Sequence, residues 1–331
     1  MSSIRRILVA VKDTRRKSSP AIVKAARLAR ALNARLELFH AISEPLVVDA
    51  FMFADQSLQK FESDSSAGHL KRLQTMAAPL LRAGIKVETA VEWDFPAHEA
   101  VIRRAHRTGA DLIVAERHAE RHVAPWVLRY TDWELLRRSP VPVLLVKKPR
   151  KYTSPRILAA VDPSHAFAKT SGLDKKIIAI AASVSAALRG QLHVVHAYVP
   201  TIIGMKEAEL NTPDASQRIV RRAEELAGGR LEGVLRGRSK LIGPRRRHLV
   251  ARHPVDAIPQ VVQEIGCDIV VMGDLSRSGL KRLVIGNTAE RLVDELSCDL
   301  LIVKPPAFIS RVPARPRGPQ LVAMNVATGG M

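Results

Sequence analysis

The sequence predicts an α/β protein of two tandem units, each a doubly wound parallel sheet of five strands with helices on both faces. Three observations predict it. The chain repeats itself with the order of segments preserved. Each repeat alternates short apolar runs with longer helix-period segments. The apolar runs are continuous, not alternating apolar and polar.

The repeat sets the domain organisation. "RRILVAVKD" (5–13) returns as "PRILAAVDP" (155–163), and "GADLIVA" (109–115) returns as "GCDIVVM" (266–272). "VPVLLVKKP" (141–149) returns as "CDLLIVKPP" (298–306), and these last two pairs share an offset of 157 residues. The segment between them therefore aligns without a gap. The units are read as 1–150 and 151–306, each a common single-domain size. A basic, proline-bounded linker, "KKPRKYTSP" (147–155), joins them. After Pro305 the composition turns to Pro, Arg and Gly, and 307–331 reads as a disordered tail.

In the first unit, strands are expected near 6–11, 35–42, 85–92, 110–115 and 141–147. Between them lie "SSPAIVKAARLARALN", a long helical stretch from about 55 to 83, "FPAHEAVIRRAHRTG" and "YTDWELLRRS". The second unit follows suit, with strands near 156–161, 191–199, 247–251, 267–272 and 298–304. Continuous β-branched runs suit strands buried on both faces, which is the parallel, helix-covered (Rossmann-like) arrangement. Ligands of such sheets bind beyond the carboxyl ends of the strands, where the strand order reverses.

Composition excludes several classes. With 331 residues, 47% hydrophobic and 25% charged, the chain is globular. No apolar run approaches the roughly 18–20 residues of a membrane span. The start, "MSSIRRILVAVKDT", reads as a first strand and not a secretory signal, which predicts a cytoplasmic protein. Cys267 and Cys298 each precede an apolar run without CxxC spacing and read as small core residues. The net charge of +20 attracts polyanions, nucleic acid among them. Aromatics at 4% are too few for the stacking platforms of single-strand binders.

One stretch carries candidate chemistry: "MGDLSRSGLKRLVIGNTAE" (272–290). Gly273 follows the fourth strand of the second unit. Gly279 and Gly286 come later, and Asn287-Thr288 opens a helix with Glu290 three residues after Asn287, as in a capping box. Free amides at a helix start, behind glycines that permit close backbone approach, make an anion site. Asp162, at the end of the first strand, falls on the same edge and can meet a ribose hydroxyl or a phosphate-bound cation. The spacing is neither a P-loop nor GxGxxG. Glycines shaping a tight loop before a capped helix, with no ligand, is the competing reading.

The stretch resembles the nucleotide loop of the universal stress protein family, G-x2-G-x9-G-[ST], and "ILAAVDP" resembles that family's first strand. The two-unit layout is similar to the family's tandem type, and the resemblance covers nearly all of the chain except the tail. It implies ATP as ligand, with Mg²⁺ held through the phosphates near Asp162. It also implies a sensing or regulatory role in the stress response and a dimer-like or homo-oligomeric assembly. Carried over, the first and third glycines are Gly273 and Gly286, and the second falls on Ser276, a departure, with Gly279 three residues on. The hydroxyl position falls on Asn287, followed by Thr288, and the adenine slot on Ala160, Val161, Ala197 and Met272.

The first unit lacks these residues. At the same offset Gly273 becomes Glu116, Ser276 Ala119, Gly279 His122, Gly286 Arg129 and Asn287 Tyr130, with Thr288 kept as Thr131; in the first-strand repeat the position of Asp162 is Lys12, with Asp13 displaced by one. A glutamate repels phosphate and an arginine cannot copy a glycine's backbone approach, so this unit is expected to have kept the fold and lost the site. His40 and His196 recur at equivalent strand ends and read as packing residues. His118 and His122 with Glu116 and Glu120 match no metal-ligand spacing. Trp93, Trp126 and Trp133, all in the first unit, are candidates to plug its pocket or line another. No catalytic base or arginine finger is identifiable, so binding is favoured over turnover. Two alternatives stand beside it: a slow ATPase, and a polyanion-binding scaffold without nucleotide.

Overall fold

The computed structural model describes residues 4–48, 57–117, 125–164, 172–200, 214–238, 241–273 and 287–323. Its contacts divide the chain into two units, Ile4–Val146 with Ile309–Met331, and Met1–Ser3 with Lys147–Phe308. The first runs β1 (Arg6–Ala10), α1 (Pro20–Leu32), β2 (Arg35–Ile42), β3 (Leu46–Val48), α2 (Ser57–Arg82), β4 (Val87–Trp93), α3 (Ala97–Thr108), β5 (Leu112–Glu116), α4 (Pro125–Arg138) and β6 (Val143–Val146). The second runs β7 (Arg156–Val161), α5 (Leu173–Ala187), β8 (Gln191–Ala197), α6 (Ala215–Leu235), β9 (Arg247–Val250), α7 (Pro254–Ile265), β10 (Ile269–Gly273), α8 (Asn287–Glu295) and β11 (Asp299–Val303).

The first sheet has the order β4-β2-β1-β5-β6, and the second β9-β8-β7-β10-β11. Every pairing within each unit is parallel. The α/β, doubly wound expectation therefore holds. The central strands are out of water on both faces: Ile7, Leu8 and Val9 in β1, and Ile157, Leu158 and Ala159 in β7, are each 0% exposed. Helix starts follow the expected chemistry. Ser19 accepts a hydrogen bond from the Ile22 amide at the start of α1, with Pro20 at its first position. Gly109 and Gly266 end α3 and α7 in the left-handed conformation that favours glycine.

The linker is clamped within the second unit. Asp299, at the start of β11, accepts from the Lys147 amide at 2.8 Å, the Lys148 amide at 3.1 Å and the Tyr152 hydroxyl at 2.5 Å. The Lys147 ammonium donates to the carbonyls of Val293 and Leu296 at the end of α8, where a cation meets the negative end of the helix dipole. Cys267 and Cys298 are free and buried. Among the described residues, no helix is long and apolar enough to cross a membrane.

The tail departs from expectation. Residues 309–323, read as disordered, are ordered within the first unit, and β12 (Leu321–Ala323) pairs in parallel with β3. Residues 324–331 lie outside the described ones. Charge explains the ordering. The Arg317 amide donates to Asp94 at 2.9 Å, and its guanidinium meets Glu99 at 3.0 Å. Both carboxylates also hold Arg103, Asp94 at 2.8 Å and Glu99 at 3.1 Å, in a site where each is at most 2% exposed. Glu99 further binds Arg138 at 3.1 Å, whose carbonyl accepts from Ser310. Two buried carboxylates facing several guanidiniums form a network in which each charge is paired, so arginines that looked like a solvated tail become its last partners.

Two outcomes follow. Arg317→Ala removes one guanidinium from the buried Glu99 and leaves the backbone amide on Asp94, and hydrogen exchange is expected to rise across 309–323 more than elsewhere in the unit. His98, in the first turn of α3, is buried with its Nε2 unpartnered, and burial above all drives its pKa down to about 4, Glu134 opposing. The unfolded chain takes that proton near the ordinary value of about 6.5. Stability is therefore full above about pH 6.5 and falls by roughly 1.4 kcal/mol per pH unit on the way down to about 4. Denaturant titrations across that window should show the slope in wild type and a flatter one in His98→Gln.

Candidate functional site

The chain leaves β7 for β8 on one side and later returns to β10 on the other, so the crevice of the second unit opens at the carboxyl ends of β7 and β10. Asp162 stands there, directly after β7. Its amide donates to the Asp174 carboxylate in the first turn of α5 at 3.1 Å, and its own carboxylate accepts the Ser164 amide at 3.3 Å. Asp162 thus starts a turn held against a helix N-terminus, where negative charge is favoured.

Register sorts the expected adenine slot. Ala160 pairs with Met272 on one side and Val195 on the other, so Ala160, Met272 and Ala197 share one face of the sheet. Ala160 and Ala197 are half-buried and Met272 is buried. Val161 pairs with His196 and belongs to the opposite face. The structure brings three slot residues together and separates the fourth, because alternate residues of a strand point to opposite faces.

Gly273, the last residue of β10, has a packing role. A Cβ there would lie 2.6 Å from Cδ2 of Leu173 and 3.3 Å from Cδ1 of Ile177, both on α5. The glycine lets α5 close over the end of β10. Counted back from the left-handed residues that follow the two helices, Asn33 and Arg189, the burial patterns place Ala21 of α1 where α5 has Ile177, and there the strand ends in Glu116. At this position a small helix residue accompanies the larger strand end, and the reverse holds in the second unit. Ser276, Gly279 and Gly286 lie outside the described residues, as do His118, Glu120 and His122. Asn287 and Thr288 form the first turn of α8.

The first unit's edge is differently filled. The Lys12 ammonium pairs with Asp132 of α4, and Arg16 lies 3.8 Å from Glu116. His40 Nδ1 lies 2.7 Å from the Val11 carbonyl and its ring stacks on His69 at 4.5 Å. Burial lowers the pKa of both His40 and His196. Each therefore sits at its strand end as a neutral ring with Nε2 unpartnered. Trp93 is pinned through its indole N–H to the Glu62 carbonyl of α2 at 3.1 Å.

Sequence reasoning missed Asp174, Ser164 and Arg230, the last of which reaches from α6 to within 3.5 Å of the Ser164 hydroxyl. An aspartate in a first helical turn was visible as a capping signal. Nothing in the sequence links Arg230 to the sheet edge.

The sequence model of the Universal stress protein family matches residues 3–147 and 154–304. Universal stress protein E of Photorhabdus laumondii is 25% identical over 93% of this chain and 97% of its own length. Universal stress protein E of Escherichia coli K12 is 30% identical over 69% of this chain and 71% of its own. Among solved structures, a functionally unknown protein of Pseudomonas aeruginosa PAO1 superposes with a TM-score of 0.68 at 24% identity, covering 92% of this chain and 93% of that one. A universal stress protein of Archaeoglobus fulgidus superposes at 0.57 with 18% identity, over 92% of this chain and 97% of that one.

The packing role of Gly273 has a measurable consequence. Gly273→Val forces its side chain into Leu173 and is expected to cost about 1–3 kcal/mol. In a denaturant double-mutant cycle with Leu173→Ala, the pair should be less destabilised than the sum of the single changes by at least about 0.5 kcal/mol.

Proposed function

The chain belongs to the universal stress protein family, and from that premise we propose that its second unit binds an adenine nucleotide, ATP, as a sensor or regulator in the stress response. The observation that carries this reading is the divergence of two equivalent strand ends. One unit ends its first strand in Lys12, already paired with Asp132. The other ends it in Asp162, held by Asp174 beside the half-buried Ala160 and Ala197.

The residues suit the ligand. Ala160, Ala197 and Met272 are small or apolar, as a purine slot requires. Asp162 supplies a carboxylate for a ribose hydroxyl, or for Mg²⁺ carried in on the phosphates. Backbone amides of Gly273, Gly279, Gly286 and Asn287, with the Thr288 hydroxyl, are the proposed phosphate donors, and the helix N-terminus of α8 favours the anion. Ser276 stands in sequence where the family has its second glycine. Val161 contributes as the residue that carries the chain into Asp162. In this reading the nucleotide is held as a signal and not turned over.

Native mass spectrometry of the purified chain, with chromatography of the released ligand, tests this. Wild type is expected to carry adenine nucleotide and to gain thermal stability from millimolar Mg-ATP. Gly286→Arg, which copies Arg129 of the first unit, is expected to lose both. Wild type without nucleotide and without a thermal shift would overturn the binding reading, and retention by Gly286→Arg would overturn the assigned loop.

A further inference from the structure

Both units hold the hydroxyl residue two positions past the strand-end position with a side chain from the long helix that follows the second strand. In the first unit the Thr14 hydroxyl lies 2.8 Å from Nδ1 of His69, on α2. In the second, Arg230 on α6 donates from Nη1 to the Ser164 hydroxyl at 3.5 Å. The chemistry of the two clamps differs. His69 stacks on His40, and burial, reinforced by His40 and Arg72, lowers its pKa, so it is neutral near pH 7. Arg230 is a permanent cation.

Arg230 is also uncommitted. It is exposed, and among the described residues its one hydrogen bond is the long contact to Ser164. Nearby carboxylates on its own helix are taken up elsewhere: Glu225 by Arg221 and Glu232 by Arg247. Its field reaches His196, fully buried with Nε2 unpartnered, where it opposes that of Asp162. The guanidinium therefore reaches the turn that Asp162 starts after β7, through Ser164, whose amide donates to Asp162. A planar fork of donors held by a single neutral hydroxyl suits a phosphate oxygen far better than the ligand it has.

We infer that Arg230 reads the phosphates of the ligand of the second unit, exchanging Ser164 for phosphate oxygens and making the site prefer a nucleotide over the bare nucleoside. The inference rests on the adenine-nucleotide reading above. Its partner in the first unit, His69, supplies no charge near neutral pH, so the preference belongs to one unit only.

Calorimetric titration of the full chain, freed of bound ligand, with ATP, AMP and adenosine tests it. Arg230→Met is expected to weaken ATP about tenfold or more, AMP by less, and adenosine less than about twofold, with the melting temperature of the ligand-free protein unchanged. Arg230→Lys should recover part of the loss, and Arg230→His, the first unit's residue, little of it near pH 7. Wild type that binds neither ATP nor adenosine overturns the nucleotide reading and the role of Arg230 with it. Wild type that binds ATP while Arg230→Met binds equally well overturns the role of Arg230 alone. Equal losses for ATP and adenosine would also overturn it, since a phosphate reader leaves the nucleoside unaffected.

Discussion

Everything at the functional edge depends on strands buried on both faces. The middle residues of β1 and β7 are fully out of water. Each large apolar side chain so buried contributes about 1.5–3 kcal/mol, and a polar replacement has no face to turn to. The strand interiors are thereby held, while the loops at the carboxyl edge are left to vary. "ILVAV" and "ILAAV" persist in the two units, and the residue just beyond them is Lys12 in one and Asp162 in the other.

The two units show how one scaffold supports two different edges. In the first, charges close on each other, Lys12 with Asp132 and Arg16 with Glu116. In the second, Asp162 is fastened by its amide to Asp174, and Arg230 of α6 reaches the Ser164 hydroxyl two residues on. Helix packing has adjusted in step, with Leu173 and Ile177 over Gly273. Gly273 is consequently no independent sign of a ligand. Its absence from the first unit follows as readily from helix packing as from loss of a site, so the weight of the functional reading shifts to Asp162 and its surroundings.

Ionic clamps organise the segments that lack regular structure. Asp299 gathers the linker through two amides and a phenol, and Asp94 with Glu99 gathers the tail through Arg317. A buried carboxylate without donors is costly, and one with three is a strong anchor. Short basic segments that composition reads as solvated are therefore drawn into place by acids far away in the chain.

The sequence by itself determined the two units, the parallel strands to within about two residues at most ends, and the helices between them. These follow from local periodicity and from the repeat, which need no knowledge of neighbours. The proposed motif residues of the second unit stand out in the sequence through comparison with their counterparts in the first. Only the tertiary structure decided that the tail to Ala323 joins the first unit, that Val161 turns away from Ala160 and Ala197, that Gly273 answers to Leu173, and that Arg230 reaches Ser164. Each of these is a contact between residues brought together by folding, such as Arg230 and Ser164, 66 positions apart. Local pattern shows which face of an element is buried, but the side chain that comes to lie against it is set by how the helices pack on the sheet.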